Sequence, residues 1–229
     1  MEQLTYNNKI LNIPKRYFHD NLLNRFKNNT YEKEEVRIIK TFFRNTDCVL
    51  ELGSCIGYTA CILSSVCKHV ITVEANPELY EALSKTKTDN NLDNVELIFG
   101  YLDKEIKEID FQTYDNVVAG SGDREDGNLN NVRGWGHTLQ LKKIKTITLK
   151  EITNINNVDS LVVDIEGGEL IFLSNFKTFI EKQIKKICIE LHGHQMLDEN
   201  FNNKCLNILN DIGFKVTKQD GVTYYLEKK

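Results

Sequence analysis

The chain has 229 residues, of which 41% are hydrophobic and 27% are charged, and its formal net charge at pH 7 is −4. This length and composition predict a globular protein with one sizeable core. The small negative charge provides no broad basic field, so we expect no duplex nucleic acid as a partner.

The sequence shows no sign of a membrane segment or of disulfide bonds. No run approaches the ~20 apolar residues of a membrane-spanning helix, and the first residues contain no apolar stretch of signal-peptide length. The six cysteines form no C-x-x-C pair and show no metal-ligand spacing. Free thiols in a reducing compartment fit this pattern, so we expect an intracellular, cytoplasmic protein that binds no membrane.

The first part of the chain is polar, with scattered aromatic residues. Thr30 precedes an acidic stretch and is a predicted helix N-cap, and Val36 and Ile39 follow at helical spacing. We therefore expect residues 1–45 to form a helical extension that packs on the core, and residues 46–229 to form a single domain.

From residue 48 onward, strand patterns and helix patterns alternate. Strands are predicted at residues 48–52, 70–73, 94–99, 114–119, 144–149, 160–164 and 187–191. Helices are predicted at residues 58–66, at 77–90 with Asn76 as the cap, at 168–180 and at 201–212. Such alternation predicts a parallel sheet that is covered by helices on both faces.

Two other stretches depart from this alternation. Residues 214–218 and 222–226 are predicted strands joined around Asp220-Gly221, and Asp-Gly is a strong hairpin signal. Residues 119–137 form a long Gly-rich loop, and long loops in compact domains are usually functional or disordered. We expect this loop, with Arg124, Arg133 and Trp135, to act as a substrate lid. In it, Trp135 either stacks on the substrate or anchors the loop.

The first motif places Glu51, Gly53 and Gly57 between a strand and a helix, with the spacing E-x-G-x-x-x-G. Glycine lets the backbone approach a ligand closely, and the helix N-terminus offers unpaired N–H groups. The carboxylate at the strand end suits an ammonium group, such as the one on the methionine part of S-adenosylmethionine. A tight turn that binds no ligand is the alternative.

The second motif places Glu74 at the end of the next strand, 21 residues after Gly53. An acid at this position of a Rossmann site accepts hydrogen bonds from both ribose hydroxyls. The alternative is that Glu74 only caps the following helix.

Two further segments follow later strands. Asp164, Glu166 and Glu169 follow one, and His192 and His194 follow the next. Open α/β sheets bind ligands at the carboxyl ends of their strands, and a histidine there can accept a proton near neutral pH. Salt bridging, helix capping or a plain loop histidine are the alternatives. Glu169 is the acid most expected to be structural.

In this order and spacing, the motifs resemble the FkbM family of S-adenosylmethionine-dependent methyltransferases. The matching segments are Thr30-Tyr31-Glu32 and residues 51–58, 74–77, 146–151 and 162–169. Cys55 stands where the family often has Asn, Val162 where it usually has Lys, and Lys150 where it usually has Asp. The difference at Cys55 affects an expected cofactor contact. The differences at Val162 and Lys150 affect any substrate role of those two positions.

The resemblance implies a Rossmann-like class I methyltransferase fold: α/β, with a mostly parallel seven-stranded sheet, a C-terminal antiparallel hairpin and helices on both faces. It also implies O-methylation of a hydroxyl on a sugar, glycan or small metabolite. The cofactor-binding residues that we assign are Glu51, Gly53, Ser54, Cys55, Gly57, Tyr58, Glu74, Ala75, Leu102 and Asp103. The residues that we place around the reacting methyl group are Asp164, Glu166 and His192, one of which would accept the proton of the acceptor.

Other functions stay open at this point. They are a methyltransferase acting on a nucleotide or RNA cap, a catalytically silent Rossmann-type binding module, and an NAD-dependent oxidoreductase. The missing G-x-G-x-x-G pattern and the terminal hairpin speak against the last. We expect no metal, although Asp164, Glu166 and His192 have the donor atoms for a metal-assisted reaction.

Overall fold

The computed structural model describes residues 1–114, 117–121, 139–196 and 198–228. In these ranges the strands are β1 (Glu2–Tyr6), β2 (Lys9–Ile13), β3 (Cys48–Leu52), β4 (His69–Glu74), β5 (Val95–Phe99), β6 (Tyr101–Leu102), β7 (Glu108–Tyr114), β8 (Val117–Ser121), β9 (Leu139–Ile147), β10 (Ser160–Val163), β11 (Lys186–Glu190), β12 (Phe214–Asp220) and β13 (Thr223–Lys228). The α-helices are α1 (Asp20–Lys27), α2 (Lys33–Phe42), α3 (Tyr58–Val66), α4 (Tyr80–Asp89), α5 (Glu169–Asn175), α6 (Lys177–Gln183) and α7 (Phe201–Asp211).

The main sheet has seven strands in the order β12-β13-β11-β10-β3-β4-β5. The five strands from β11 to β5 are parallel, whereas β13 pairs antiparallel with β11 and β12 pairs antiparallel with β13. The predicted sheet and its terminal hairpin are therefore confirmed. The strand order also places the ends of β3, β4, β10 and β11 side by side at one edge.

Alternating side chains of the central strands enter two separate cores. On β3, Val49 packs with the N-terminal elements and α3, whereas Leu50 packs with α5, α6 and α7 on the other face. On β10, Val162 faces the first core, and Leu161 and Val163 face the second. Each fully buried aliphatic side chain stabilises the fold by about 1.5–3 kcal/mol, so both faces hold the sheet rigid beneath its carboxyl edge.

A second sheet of four strands, in the order β6-β9-β7-β8, is not paired with the main sheet, and only Gly100 separates β5 from β6. The predictions were incomplete here. The strand expected at 144–149 overlaps only the end of the longer β9. The strand expected at 114–119 overlaps the last residue of β7 and the start of β8, so the rest of β7 was not predicted. Alternating polar residues along β7 and β9 fit an antiparallel pair with one exposed face, which no local turn signal marks.

The N-terminal segment begins with the antiparallel hairpin β1–β2, which the sequence did not predict. The predicted N-cap Thr30 was wrong, because α2 is preceded by Glu32, whose backbone is left-handed with φ of 48°. The Thr30 hydroxyl instead donates a hydrogen bond to the Arg25 carbonyl. The chain therefore makes a tight bend before α2, and this bend presents Glu32 to the carboxyl edge of the main sheet.

Two helices differ from their predicted limits. The helix expected at 77–90 begins at Tyr80, because residues 77–79 form a turn in which the Leu79 N–H donates to the Asn76 carbonyl. The helix expected at 168–180 is divided at Phe176 into α5 and α6. Neither difference moves a residue away from the carboxyl edge of the sheet.

The cysteines form no disulfide bond, as expected, and Cys61, Cys67, Cys188 and Cys205 are buried. Among the described residues, no helix is both long and apolar enough to cross a membrane.

Candidate functional site

An open cleft lies where β3, β4 and β10 end. It measures about 1040 Å³ including the space open to solvent. A smaller side cavity of about 350 Å³ adjoins it, and the two share Leu52, Gly53 and Asp164 among their lining residues. We call these two spaces the main cleft and the side cavity.

Gly53 forms the turn that joins these spaces. Its φ is +90°, and an added Cβ would lie 1.6 Å from the backbone oxygen of Asp164. The Asp164 N–H also donates to the Leu52 carbonyl at 3.0 Å. Only glycine allows this approach, which joins the turn after β3 to the turn after β10.

Gly57 serves a different purpose from Gly53. An added Cβ there would lie 2.8 Å from Leu83 Cδ1 on α4, and Gly57 lines neither space. Its neighbour Tyr58 does line the side cavity, and the Tyr58 hydroxyl accepts a hydrogen bond from Asn7. Gly57 therefore packs α3 against α4 and sets the start of α3 close to the turn.

Glu51 is 1% exposed and faces the side cavity. Its Oε2 accepts a hydrogen bond from the Thr72 hydroxyl, which in turn is hydrogen-bonded to Ser54. Its Oε1 is buried and has no hydrogen-bond partner among the described residues. Burial, together with the charges of Glu74 and Glu32, raises the pKa of Glu51 to about 8. Glu51 Oε1 is therefore available to accept a hydrogen bond from a positively charged group in the side cavity.

Glu74 lies at the end of β4 and lines the main cleft beside Ala75. Its two oxygens accept the backbone N–H groups of Cys55 and Asn76, each at 2.7 Å. These bonds hold the carboxylate in one orientation, although burial raises the pKa of Glu74 to about 7. Each carboxylate oxygen retains a second lone pair, so both can still accept a hydrogen bond from a diol.

Five carboxylates gather at the ends of β10 and β11. Asp164 and Glu166 follow β10, Glu190 ends β11, and Glu32 and Glu35 come from the start of α2. We call these five residues the acidic cluster. One oxygen from each of Glu32, Glu35, Asp164 and Glu190 lies within 4.8 Å of the other three.

His192 lies buried beside this cluster, with only 3% of its surface exposed. Its Nδ1 is 2.9 Å from Glu169 Oε1. Its Nε2 lies 3.3 Å from a Glu190 oxygen, 3.4 Å from a Glu166 oxygen and 3.5 Å from Asp164 Oδ1. Burial alone would lower the pKa of His192, but the surrounding carboxylates, Glu169 first, hold it well above the ordinary value.

The close spacing of these groups also shifts the pKa values of the carboxyl groups. Burial and the charge of Glu190 hold the pKa of Asp164 well above its usual range. Burial and the charge of Glu32 do the same for Glu35, which shares a hydrogen bond with Glu190. Burial opposes ionisation of Glu190, but hydrogen bonds from His192 and Glu35 lower its pKa. Without a ligand, the crowding therefore favours the protonated forms of Asp164 and Glu35 and the ionised form of Glu190.

Three residues around the main cleft, none of them glycine, have left-handed backbone. Their φ angles are 48° at Glu32, 52° at Cys55 and 51° at Glu166. Such conformations cost of order 1–3 kcal/mol each and tend to cluster at functional sites. Their presence on three separate turns supports a binding role for the cleft.

The structure brings most of the predicted site residues to these two spaces. Those that line one or both are Glu51, Gly53, Ser54, Cys55, Tyr58, Glu74, Ala75, Leu102, Asp164 and Glu166. Gly57, Asp103 and His192 line neither. The Asp103 carboxylate instead accepts the Lys104 backbone N–H at 2.5 Å and pairs with Lys107 at 2.9 Å.

Sequence reasoning missed several lining residues. Arg25 on α1 and Glu35 on α2 reach the site from far along the chain, and no motif marks them. Glu32 lies in a segment that the family resemblance covers. Glu190 lines neither space but belongs to the acidic cluster, and it comes two residues before His192. Neither was assigned a role, because their contacts depend on how α2 and β11 meet.

The predicted lid cannot be placed. Arg124, Arg133 and Trp135 lie in residues 122–138, outside the described residues. The described part of that segment, up to Ser121, belongs to β8.

Comparison with known sequences identifies the family. Residues 47–216 match the profile of the methyltransferase FkbM domain. The chain belongs to the FkbM methyltransferase family. The resemblance drawn from the sequence motifs is thereby confirmed. No curated protein matches this chain.

Solved structures show the same fold at low sequence identity. The fold is similar to that of M. jannaschii TYW2 in complex with AdoMet, with a TM-score of 0.51 and 12% identity over 98% of this chain and 82% of that chain. Precorrin-6y C5,15-methyltransferase from Geobacter metallireducens GS-15 matches at a TM-score of 0.49 and 12% identity, over 85% of this chain and 84% of that one. Methyltransferase FkbM from Methylobacillus flagellatus KT matches at a TM-score of 0.49 and 15% identity, over 80% of this chain and 44% of that one. The likeness to M. jannaschii TYW2 supports a Rossmann-like fold.

Proposed function

We propose that this protein transfers a methyl group from S-adenosylmethionine to a hydroxyl oxygen of a sugar, glycan or small metabolite. The observation that carries the proposal is the arrangement of Glu51 and Glu74 around the Gly53 turn. Glu51 has a buried oxygen without a donor in the side cavity, and Glu74 is held by two backbone N–H groups in the adjoining main cleft.

These residues fit the cofactor part by part. The unused oxygen of Glu51 suits the ammonium group, and the turn from Gly53 to Tyr58 would line the methionine end. Glu74 would accept the ribose hydroxyls. Leu102 lines the main cleft and would border the adenine, while Asp103 lies behind it.

When bound, S-adenosylmethionine would supply an electrophilic methyl group. The acceptor oxygen would bond to the methyl carbon as the carbon–sulfur bond breaks with its electrons on sulfur, and the hydroxyl proton would leave. Asp164 and Glu166 line the main cleft and would hold the acceptor there. An ionised carboxylate at this place orients the hydroxyl and can take its proton. His192 lies beneath these carboxylates and would act through them.

The lining of the main cleft supports a sugar-like acceptor. Tyr101, Phe111 and Phe172 contribute to it together with the carboxylates. Aromatic faces and oriented hydrogen-bond acceptors together are the kind of surface that binds a polyhydroxylated ring. The family resemblance points to the same acceptor class.

The test is a methyl-transfer assay with S-adenosylmethionine labelled in its methyl group. The acceptors are offered as panels of free sugars, glycans, small hydroxylated metabolites and nucleotides. We expect label on an oxygen in one of the first three panels, and at least a hundredfold less with Asp164→Asn that still binds the cofactor. Label on nucleotides alone would replace the proposed acceptor class. Cofactor binding without transfer to any panel would favour a silent binding module.

A further inference from the structure

The acidic cluster and His192 together have the geometry of a metal site. One ligand atom each from Asp164, Glu190 and His192 lies within 4.8 Å of the other two. Opposite ligands of a divalent ion with bonds of about 2.1 Å lie about 4.2 Å apart, so the three atoms need only a small contraction to share one ion. Asp164 and Glu190 also belong to the four-carboxylate group with Glu32 and Glu35.

The orientation of His192 favours a cation on its Nε2 side. Glu169 is fully buried, and its Oε1 accepts the Gly167 N–H while lying 2.9 Å from His192 Nδ1. A carboxylate on one ring nitrogen fixes the proton there and leaves the other nitrogen as a donor to metal, which is the usual support for a metal-bound histidine. Here the other nitrogen, Nε2, faces the carboxylates of Asp164, Glu166 and Glu190. When ionised, these groups carry no N–H or O–H and so cannot donate a hydrogen bond to Nε2.

Unused buried oxygens give an independent indication of a missing positive charge. Asp164 Oδ1 is buried without a hydrogen-bond partner among the described residues. Glu51, which is 1% exposed, also has an unpartnered Oε1 in the side cavity, but we assign that oxygen to the ammonium group of the cofactor, which leaves Asp164 Oδ1 for another cation. Arg25 pairs with Glu32 at 3.8 Å, and this guanidinium together with a protonated His192 carries less charge than the five carboxylates do when all are ionised.

We propose that Asp164, Glu190 and His192 bind one divalent metal cation, with Glu32 and Glu35 completing the negative surround. Carboxylates with a single imidazole suit Mn²⁺ or Mg²⁺ better than a soft ion. Because Asp164 also lines the main cleft, the ion would lie next to the acceptor and could polarise its hydroxyl. The role of the ion rests on the proposed function, whereas its binding does not. Glu190 thus takes the place of Glu166 in the metal-assisted alternative that the sequence suggested.

The test uses Mn²⁺ alone as the probe, because the electron paramagnetic resonance signal of free Mn²⁺ disappears when the ion binds. The full-length protein is first treated with a chelator and then titrated. We expect one ion per chain and a dissociation constant that rises at least tenfold in Glu190→Gln. Glu169→Gln should also weaken binding by about 10–100-fold, since it supports the histidine without touching the ion. Glu81→Gln, which changes an exposed carboxylate on α4, is the matched control and should bind as the wild type does.

A folded wild-type protein that leaves Mn²⁺ and then Mg²⁺ free at millimolar concentration would overturn the proposal. Equal binding by the wild type and Glu190→Gln would likewise exclude this site. The same samples are titrated with S-adenosylhomocysteine. Metal binding without cofactor binding would contradict the proposed function and leave the metal site standing, and the reverse result would contradict the metal site alone.

Discussion

The two halves of the site are built differently. In the half that we assign to the cofactor, formed by the turns after β3 and β4, each carboxylate has its own hydrogen-bond donors: Glu74 has the N–H groups of Cys55 and Asn76, and Glu51 has the Thr72 hydroxyl. In the acceptor half, formed by the ends of β10 and β11, carboxylates face one another and a buried His192. The first half is held by hydrogen bonds between the neighbouring strands β3 and β4 and their turns, and the second depends on elements that are much farther apart in sequence. We therefore propose that the turns after β3 and β4 bind the cofactor, and that the carboxylates assembled at β10 and β11 select the acceptor.

The largest effect should come from Gly53→Ala, which tests how strictly the two halves are joined. The new Cβ would collide with the Asp164 carbonyl, so the turns must separate. We expect S-adenosylhomocysteine affinity to fall by about two orders of magnitude or more, together with a loss of stability. Calorimetric titration and thermal unfolding measure the two effects.

Gly213→Ala is the matched control for this change. Its φ is +93°, close to the +90° of Gly53, but no atom lies within 4 Å of its added Cβ. It should cost about 1 kcal/mol of stability from the backbone strain alone and leave cofactor affinity unchanged. Equal effects of both substitutions would show that the contact between the turns is not what matters.

Next in size, Glu51→Gln tests the ammonium contact in the cofactor half. Because the pKa of Glu51 is raised to about 8, the free protein carries a proton there at pH 7 and should release it when a positive group binds. We expect the variant to lose that proton release and to bind about tenfold more weakly, a change of about 1.4 kcal/mol. Calorimetry at pH 7 in two buffers of different ionisation enthalpy measures the proton release. Unchanged release in the variant would remove Glu51 from this role.

A moderate effect should appear in the stability of the ligand-free, chelator-treated protein as the pH changes. The pKa values of Glu51, Glu74 and Glu32 are raised from 4.5 to about 8, 7 and 7. A carboxyl group whose pKa is raised in the folded state contributes stability that is fully present below about pH 4.5. This contribution is lost as the pH rises through the folded-state pKa. The raised pKa of His192 acts in the same direction. The lowered pKa of Glu190 acts only below about pH 4.5, outside this window.

Thermal unfolding between pH 5 and pH 8.5 checks this expectation. The midpoint should fall by several degrees over that range, and the fall should be smaller in Glu51→Gln, which cannot ionise. A midpoint that rises over the same range would show that these carboxylates are ionised in the folded protein without a ligand.

The smallest effects should distinguish two neighbours on the adenine side. Leu102 lines the main cleft, whereas Asp103 is turned toward Lys104 and Lys107. Leu102→Ala should weaken cofactor binding severalfold by removing apolar contact. Asp103→Asn should change it less than threefold. A larger loss with Asp103→Asn would mean that this carboxylate turns toward the adenine on binding.

The sequence predicted the parts of the molecule that local patterns determine. The alternating strands and helices, the terminal hairpin and the positions of Glu51, Gly53 and Glu74 follow from short motifs, and the fold is as expected. The hairpin β1–β2 was missed although Asn7 and Asn8, both left-handed, form its two-residue turn. The strand β7 was missed because no local turn signal marks it. Glu32, Glu35 and Arg25 could not be assigned to the site, since only the packing of α1 and α2 on the sheet brings them to β10 and β11.

The most direct test of the central claim is calorimetric titration of S-adenosylhomocysteine into the wild-type protein and into Glu74→Ala. The Glu74 side chain is fixed by two hydrogen bonds at the edge of the main cleft, and we assign it to the ribose. We predict one molecule bound per chain by the wild type, and binding at least a hundredfold weaker in a variant that remains folded. A folded wild-type protein that binds neither S-adenosylhomocysteine nor S-adenosylmethionine would contradict the proposed methyltransferase function.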